Sequence, residues 1–406
     1  MRATAGRGQS QGRGARRVND LFVVAEIALS LTLLAGAGLL IKSLWQLSRV
    51  DTGLDTANTL TMQLALPPGR YDSTDARVAL LRQIEERISA TPGVETVGAI
   101  DFLPLSGSGS GFPYRIAGQD MPAGTSQVVN TRIVTPGFFR AFRVPLKRGR
   151  MLDAQDVRVD TSVFGALVVN EAFARQHWPN ADPLGGQILA ATGGRIGQVV
   201  GVVADMRQNG MDAAPAPEIY AITTQWGWSG GSLVIRGARN TPNADAIRAA
   251  IRSIEPNMGL RNVRPMTEVV SEAMSDRRFY ARLLTWFAGL ALVLGLVGVY
   301  GVMTYAASRR TREFGVRLAF GATGRDLATD VLVRAMTPVF FGILLGLGGA
   351  ISLTRLLASL LYEVRATDPW VLGGVSVMLA LAAAGAALVP AARASRVTVV
   401  SALQSE

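Results

Sequence analysis

Four apolar runs constrain this chain before anything else does: Leu21–Ile41, Leu283–Tyr305, Ala335–Thr354 and Trp370–Ala392. Crossing about 30 Å of hydrocarbon takes about 20 apolar residues in a helix, and each run is that long. The second and fourth hold no charged residue, the first holds one acid, Glu26, and the third contains Pro338. Composition points the same way, with 49% hydrophobic and 17% charged residues, against roughly 25% charged in ordinary soluble chains. Arg13, Arg16 and Arg17 precede the first run as they would in a secretory leader. Its apolar core is longer than the usual ~7–15 residues and no A-x-A site follows, so an uncleaved anchor is expected.

Arginine placement sets the orientation. Arg2, Arg7, Arg13, Arg16 and Arg17 precede the first run, Arg309, Arg310, Arg312, Arg317, Arg325 and Arg334 lie between the second and third, and Arg393 and Arg396 follow the fourth. If every run crosses, these thirteen arginines share one side with five acids, Asp20, Glu313, Asp326, Asp330 and Glu406, so most of the +11 net charge sits there. The positive-inside rule makes that side cytoplasmic. The charge is therefore topological and calls for no nucleic acid partner. Trp45, Trp286, Tyr362 and Trp370 fall at the opposite ends of the runs, where an outer aromatic belt belongs. The expected division is a basic cytoplasmic segment 1–20, a span 21–41, an extracytoplasmic domain 42–281 and a span 282–305. A cytoplasmic loop 306–334, a span 335–357, an outer loop 358–369, a span 370–392 and a cytoplasmic tail 393–406 complete it.

The domain over 42–281 opens with a βαβ pattern: TLTMQLAL as a strand, a helix with Leu80, Ile84 and Ile88 every four residues, then VETVGAI after the breaker TPG. A similar unit closes it, with Ile247, Ile251 and Ile254 lining a helix, EPNMG breaking it and LRNVRPM as a strand. The two halves are expected to pack into one α/β layer. FGALVVN, GQVVGVVADM and GSLVIRG lie between them as strand-like runs, expected to form an inserted β-rich subdomain. The fold class is thus an α-helical integral membrane protein with four transmembrane helices and a large extracytoplasmic α/β domain between the first two.

Catalytic motifs are poorly supported. GWSGG, Gly227 to Gly231, matches the G-x-S-x-G pattern of a nucleophile elbow. That elbow needs a strand before it, a helix after it and a histidine downstream. Here a strand-like run follows Ser229, and the only histidine, His177, lies upstream, so a glycine turn is expected. His177 has no cysteine or second histidine with which to share zinc and reads as a packed or surface imidazole. LSGSGSGFP, Leu105 to Pro113, looks like a phosphate cradle, but the chain has two lysines, Lys42 and Lys147, and no G-x-x-x-x-G-K-[ST]. No enzyme activity, metal or cofactor is expected of this chain, and any ATP would be used by a partner. Cysteine is absent, so no disulfide can form.

Residues 308–323, SRRTREFGVRLAFGAT, open the cytoplasmic loop. At about 100° per residue, Arg310, Glu313 and Arg317 form one ridge, with Glu313 and Arg317 in the favourable i,i+4 order. Phe314 and Leu318 flank the ridge on one side, Val316 and Phe320 on the other. Such a helix suits a groove on a partner protein, or lies on anionic lipid with its arginines snorkelling. Small residues at four-residue spacing, Gly342, Gly346 and Ala350 in the third span with Ala291 and Gly295 in the second, let helices approach closely. They serve packing within the chain or between two copies. Glu26 either snorkels to the cytoplasmic interface or pairs with an arginine of a neighbouring helix.

RTREFGVRLAFGAT, after a Gly-rich span ending GVYGVMTYA, resembles the cytoplasmic loop of the MacB- and FtsX-type permeases of ABC transporters. The likeness continues in LFVVAEIALSLTLLAGAGLL, ATPGVETVG, VVNEAFARQHWPNADPLGG, VVGVVADMR, PEIY and PAARASRV, and is most like the C-terminal half of the long duplicated permeases. After ASRV the chain departs from the family, with Thr398, Val399 and ALQ where an acid, a proline and ALR are usual. The resemblance implies a MacB-like periplasmic core domain with porter-like units. It also implies a bacterial inner-membrane location and a mechanism in which a cytoplasmic ABC-type ATPase pushes a coupling helix and the motion reaches the outer domain. Arg310, Arg312, Glu313, Phe314, Gly315, Arg317, Leu318 and Gly321 would form the ATPase contact. Export or extraction of an amphiphile by a dimer of permease chains in membrane lipid is the expected function. An FtsX-like scaffold that switches an extracytoplasmic protein partner is the alternative.

Overall fold

The computed structural model describes residues 8–107, 109–119, 127–156, 165–191, 194–308, 316–317, 320, 322–356, 358, 361–365 and 367–394. The chain forms two compact units, one from its two ends, Met1–Arg49 with Asp276–Glu406, and one from Val50–Ser275.

The Val50–Ser275 unit opens with β1 (Thr59–Ala65), α2 (Thr74–Ser89) and β2 (Val94–Ile100), and closes with β10 (Gly231–Gly237), α6 (Ala244–Arg252) and β11 (Gly259–Pro265). Ser73 caps α2 by accepting from the amide of Ala76, and Asn243 caps α6 in the same manner, satisfying amides that have no partner inside a helix. Leu80, Leu81, Ile84 and Ile88 form the buried stripe of α2. β10 runs antiparallel between β1 and β2, pairing Leu60 with Ile235 and Val97 with Ile235 from its two sides, while β11 pairs the outer edge of β1. The order β11-β1-β10-β2 interleaves two split βαβ units, the arrangement of a ferredoxin-like layer. GSLVIRG is therefore not part of the inserted β subdomain, as its place in the sequence suggests. It is a central strand of the layer. The two helices cover one face, where Leu60, Met62, Leu64, Leu233 and Ile235 meet Ile84, Ile88, Ile247 and Ile251. Each such side chain contributes about 1.5–3 kcal/mol when fully buried.

On the other face of β2 lies α3 (Gly137–Ala141). Contact there is backbone on backbone: a β-carbon on Gly98 would stand 2.2 Å from the Phe138 nitrogen, and one on Gly137 1.8 Å from the Val97 oxygen. Arg236 of β10 is buried beside them and donates to the carbonyls of Ala141, Ala57 and Asp55.

The insertion between β2 and β10 is a small closed barrel. Its strands are β3 (Ser110–Ile116), β4 (Gln127–Val134), β6 (Gly165–Asn170), β7 (Gln187–Ala190), β8 (Arg195–Val203) and β9 (Glu218–Ile222), with β5 (Leu146–Gly149) added along β8. The order β4-β3-β7-β8-β6-β9 closes through parallel pairing of β9 with β4, which leaves these strands without a long free edge. β3 begins at Ser110, so the glycine loop ends sooner than LSGSGSGFP suggests. Helix α4 (Glu171–His177), capped by Asn170, sends Phe173 into the barrel core beside Tyr114, Leu167 and Ile219. Short helices α5 (Thr223–Trp226) and α7 (Met266–Glu272) complete this unit. One strand serves both parts: β4 also touches the layer through the pairing of Val134 with Ile100.

In the other unit, α1 (Gly8–Leu47), α8 (Ser275–Ser308), α9 (Gly324–Leu356) and α10 (Pro369–Ala394) are each long and apolar enough to cross a membrane. Helix α9 starts eleven residues ahead of the expected span 335–357, because its polar first turns, although not apolar, are helical, and it runs through Pro338 without interruption. Gly342 and Gly346 sit against α1, where added β-carbons would lie 3.0 Å from the Val24 oxygen and 2.9 Å from the Ala28 oxygen. Thr32 Oγ1 donates across the seam to the Gly346 carbonyl at 3.2 Å. At the far end, Lys42 of α1 pairs with Asp368 and Ser43 Oγ accepts from the Tyr362 amide at 2.8 Å.

Gly98→Ala tests the backbone contact with α3. Overpacking of a site closed by backbone costs about 1–3 kcal/mol, so the variant should unfold at a lower temperature than the parent, with membrane insertion unchanged.

Candidate functional site

Of the residues expected to meet an ATPase, Arg310, Arg312, Glu313, Phe314, Gly315, Leu318 and Gly321 lie outside the described residues. Arg317 is described, together with the turn that carries the chain into α9. Val316 and Arg317 are helical, and the Phe320 amide donates to the Val316 carbonyl at 3.1 Å. Phe320 is 89% exposed. Arg317 reaches Asp330 at 3.7 Å, and Asp330 also accepts from Arg334 Nε at 3.0 Å. Thr323 and Asp326 cap α9 reciprocally, the Asp326 amide donating to Thr323 Oγ1 and the Thr323 amide donating to Asp326 Oδ2. Together these contacts tie Arg317 and Thr323 to the first turns of α9. Asp330 was not singled out by the sequence pattern of 308–323 because it lies beyond it; its i,i+4 spacing from Arg334 was the available signal.

The small residues pack within the chain. Gly342 and Gly346 touch α1, Ala350 is fully buried, Gly295 faces Ser30 and Ile27 of α1, and Ala291 is half-buried. Gly295, Gly342 and Gly346 are thus occupied by α1 of the same chain. Glu26 likewise faces a glycine: a β-carbon on Gly298 of α8 would come within 2.1 Å of its Oε2.

In the Val50–Ser275 unit Ser229 is exposed in a turn between Gly227 and Gly231, both with positive φ, and β10 follows it. His177 is packed, its Nε2 2.6 Å from Tyr114 Oη, and burial pushes its pKa down while pushing the Tyr114 phenol up to about 12. Among the described residues no group of His, Cys, Asp and Glu has the spacing of a metal site.

A buried polar network, absent from every sequence motif, surrounds β4. Arg132 and Glu218 are both fully buried and meet at 3.4 Å, and Tyr220 donates to Glu218 at 2.5 Å. Burial outweighs the attraction of Arg132 and pushes the Glu218 carboxyl up to about 7. Glu85 of α2 accepts from Thr135 Oγ1 at 2.6 Å, Thr135 Oγ1 accepts from the Ala99 amide at 2.7 Å, and burial pushes Glu85 up to about 7 as well. A carboxyl raised in the folded state contributes stability that is intact below its unfolded value and is lost as pH rises through the folded one. For these acids the window runs from the ordinary carboxyl value of 4.5 to about 7. His177, lowered by burial, acts oppositely and loses its contribution as pH falls below 6.5. Glu85→Gln keeps the acceptor for Thr135 and removes the titration. Because the parent loses this contribution between pH 4.5 and about 7, the melting temperature of the variant relative to the parent should rise across that window and level off above it, as read by tryptophan fluorescence of the full chain in detergent.

Comparison with known proteins follows the same division of the chain. Residues 23–254 match the family model of the MacB-like periplasmic core domain, and residues 285–399 match that of the FtsX-like permease C-terminal region. A macrolide export ATP-binding/permease protein MacB from Hahella chejuensis is 24% identical over 363 residues, covering 84% of this chain and 53% of the relative. One from Mannheimia succiniciproducens is 27% identical over 221 residues, covering 52% of this chain and 33% of the relative. The chain thus spans between a third and about half of the length of these relatives. Among solved structures, the periplasmic region of MacB from Actinobacillus actinomycetemcomitans aligns at 16% identity and a TM-score of 0.36, covering 57% of this chain and 98% of that one.

Proposed function

Because the chain belongs to the MacB/FtsX family of ABC-transporter permeases, we propose that it is the membrane subunit of a transporter whose cytoplasmic ATPase drives motion of the outer domain to export or extract an amphiphile. The observation that carries the coupling step is the turn before α9. Phe320 projects there as an exposed apolar ring, on a segment clasped to α9 by Arg317 with Asp330 and by the Thr323 and Asp326 cap. A force on a loop held in this way passes into a membrane helix instead of being absorbed by slack. ATP is bound by the partner, and the chain needs no cofactor of its own. The arginine distribution supports a bacterial inner-membrane topology with the termini and the turn inside and the Val50–Ser275 unit outside. A symmetric ATPase pair would require two such permease chains, each surrounded by lipid on its remaining faces.

Two measurements test this reading. In the cysteine-free chain, single cysteines at Ser229 and Ser308 should react with impermeant reagent from outside and from inside, respectively; an outside label at Ser308 rejects the coupling role. Glu313→Lys should weaken a docked loop by about 2–5 kcal/mol where the charge pair is buried, whereas added positive charge would strengthen a loop held by anionic lipid. Phe314→Ala or Phe320→Ala should cost about 2 kcal/mol if the ring fills a protein pocket. The readouts are copurification of an ABC-type ATPase and permease-stimulated ATP hydrolysis, with normal membrane insertion as the control. Full stimulation in all three variants rejects the proposal.

A further inference from the structure

We propose that the seam between α1 and α8 binds the ammonium group of an amphiphile, with Glu26 as counter-ion and Ser30 as a hydrogen-bond acceptor. The two side chains lie one helical turn apart on α1 and border the same notch on α8. A β-carbon on Gly295 would be 3.5 Å from Ser30 Oγ and 4.0 Å from Glu26 Cβ, and one on Gly298 would collide with Glu26 Oε2. Ser30 is 0% exposed, yet its Oγ has no hydrogen-bond partner among the described residues. Glu26 forms no ion pair or hydrogen bond with any described residue. A hydroxyl and a carboxylate that meet nothing, side by side in a segment built to sit in hydrocarbon, are costly unless something donates to them.

The chemistry of the notch selects the donor. One carboxylate and one hydroxyl are too few oxygens for a calcium or magnesium ion. Both are acceptors for an ammonium, whose charge-assisted bond to a carboxylate is about twice as strong as a neutral one. Phe22 and Leu29, four residues before and three after Glu26 on α1, and Leu294, next to Gly295 on α8, are exposed apolar side chains along which an alkyl chain would lie. A free aliphatic amine and the ethanolamine headgroup of a phospholipid present the same primary ammonium.

The inference deepens the proposed amphiphile transport by naming its headgroup. Its test needs no ATPase, so loss of either proposal leaves the other standing. The full chain in phosphatidylcholine nanodiscs, which lack primary ammonium, is exposed to a diazirine-bearing dodecylamine or to the matched dodecanol. The amine should label α1 and α8, should label them about tenfold less in Glu26→Gln, and about two- to fivefold less in Ser30→Ala. Dodecanol labelling should be the same in all three proteins. Phosphatidylethanolamine added to the discs either competes the label away, which assigns the site to the lipid headgroup, or does not, which assigns it to free amines. Equal labelling of the parent by amine and alcohol, or undiminished amine labelling of Glu26→Gln, overturns the proposal. Should Glu26→Gln fail to insert, the amine-to-alcohol ratio in the parent decides alone.

Discussion

Without β10 between them, β1 and β2 would be two separate edges. The ladder that joins them pairs residues near position 60 with residues near 235, and those again with residues near 97. Contacts so distant in sequence form slowly, because loop closure is entropically opposed before the ladder rewards it. The cost rises only with the logarithm of loop length, by about 0.6 kcal/mol per doubling. This is why a whole barrel can sit between β2 and β10 without dismantling the layer. The barrel in turn closes on itself through β4 and β9, so it brings no long unpaired edge into the domain.

The membrane unit is held by a different force. Lipid tails are as apolar as leucine, so helices there gain by close approach more than by burial. Gly342 and Gly346 supply that approach on α9, and Thr32 adds a hydrogen bond across it. Helix α8 is different in kind: most of its apolar side chains, Trp286, Leu290, Leu294 and Val297 among them, are exposed. Its contact with α1 runs through glycines that accommodate polar side chains.

What could be read from the sequence follows from these forces. The four long helices were legible because hydropathy alone defines them, and α2 because Leu80, Ile84 and Ile88 repeat at helical spacing. The role of GSLVIRG was not legible, since a strand's neighbours are set by partners a hundred residues away and its own pattern is the same in a layer or a barrel. The start of α9 was hidden because its first turns are polar, although Thr323 and Asp326 have the spacing of a reciprocal cap. The small-residue spacing announced close packing but carried no information on whether the partner helix belonged to the same chain. Arg132, Glu218 and Tyr220 stand far apart or in unremarkable strand patterns, and only the parallel pairing of β4 with β9 makes them neighbours.

Pro338 lies buried inside α9, eight residues beyond Asp330. A proline there has no amide to offer the Arg334 carbonyl, and its ring crowds that same turn. Arg334 is also the residue that bonds Asp330, the acid in reach of Arg317. The helix thus meets Arg317 through side chains on one side of this point and lacks a backbone bond at the point itself. In mechanical terms α9 has one compliant joint near the end that Arg317 reaches, so that, under the proposed coupling, a push there would be converted more readily into bending at Pro338 than into sliding of the whole helix against α1.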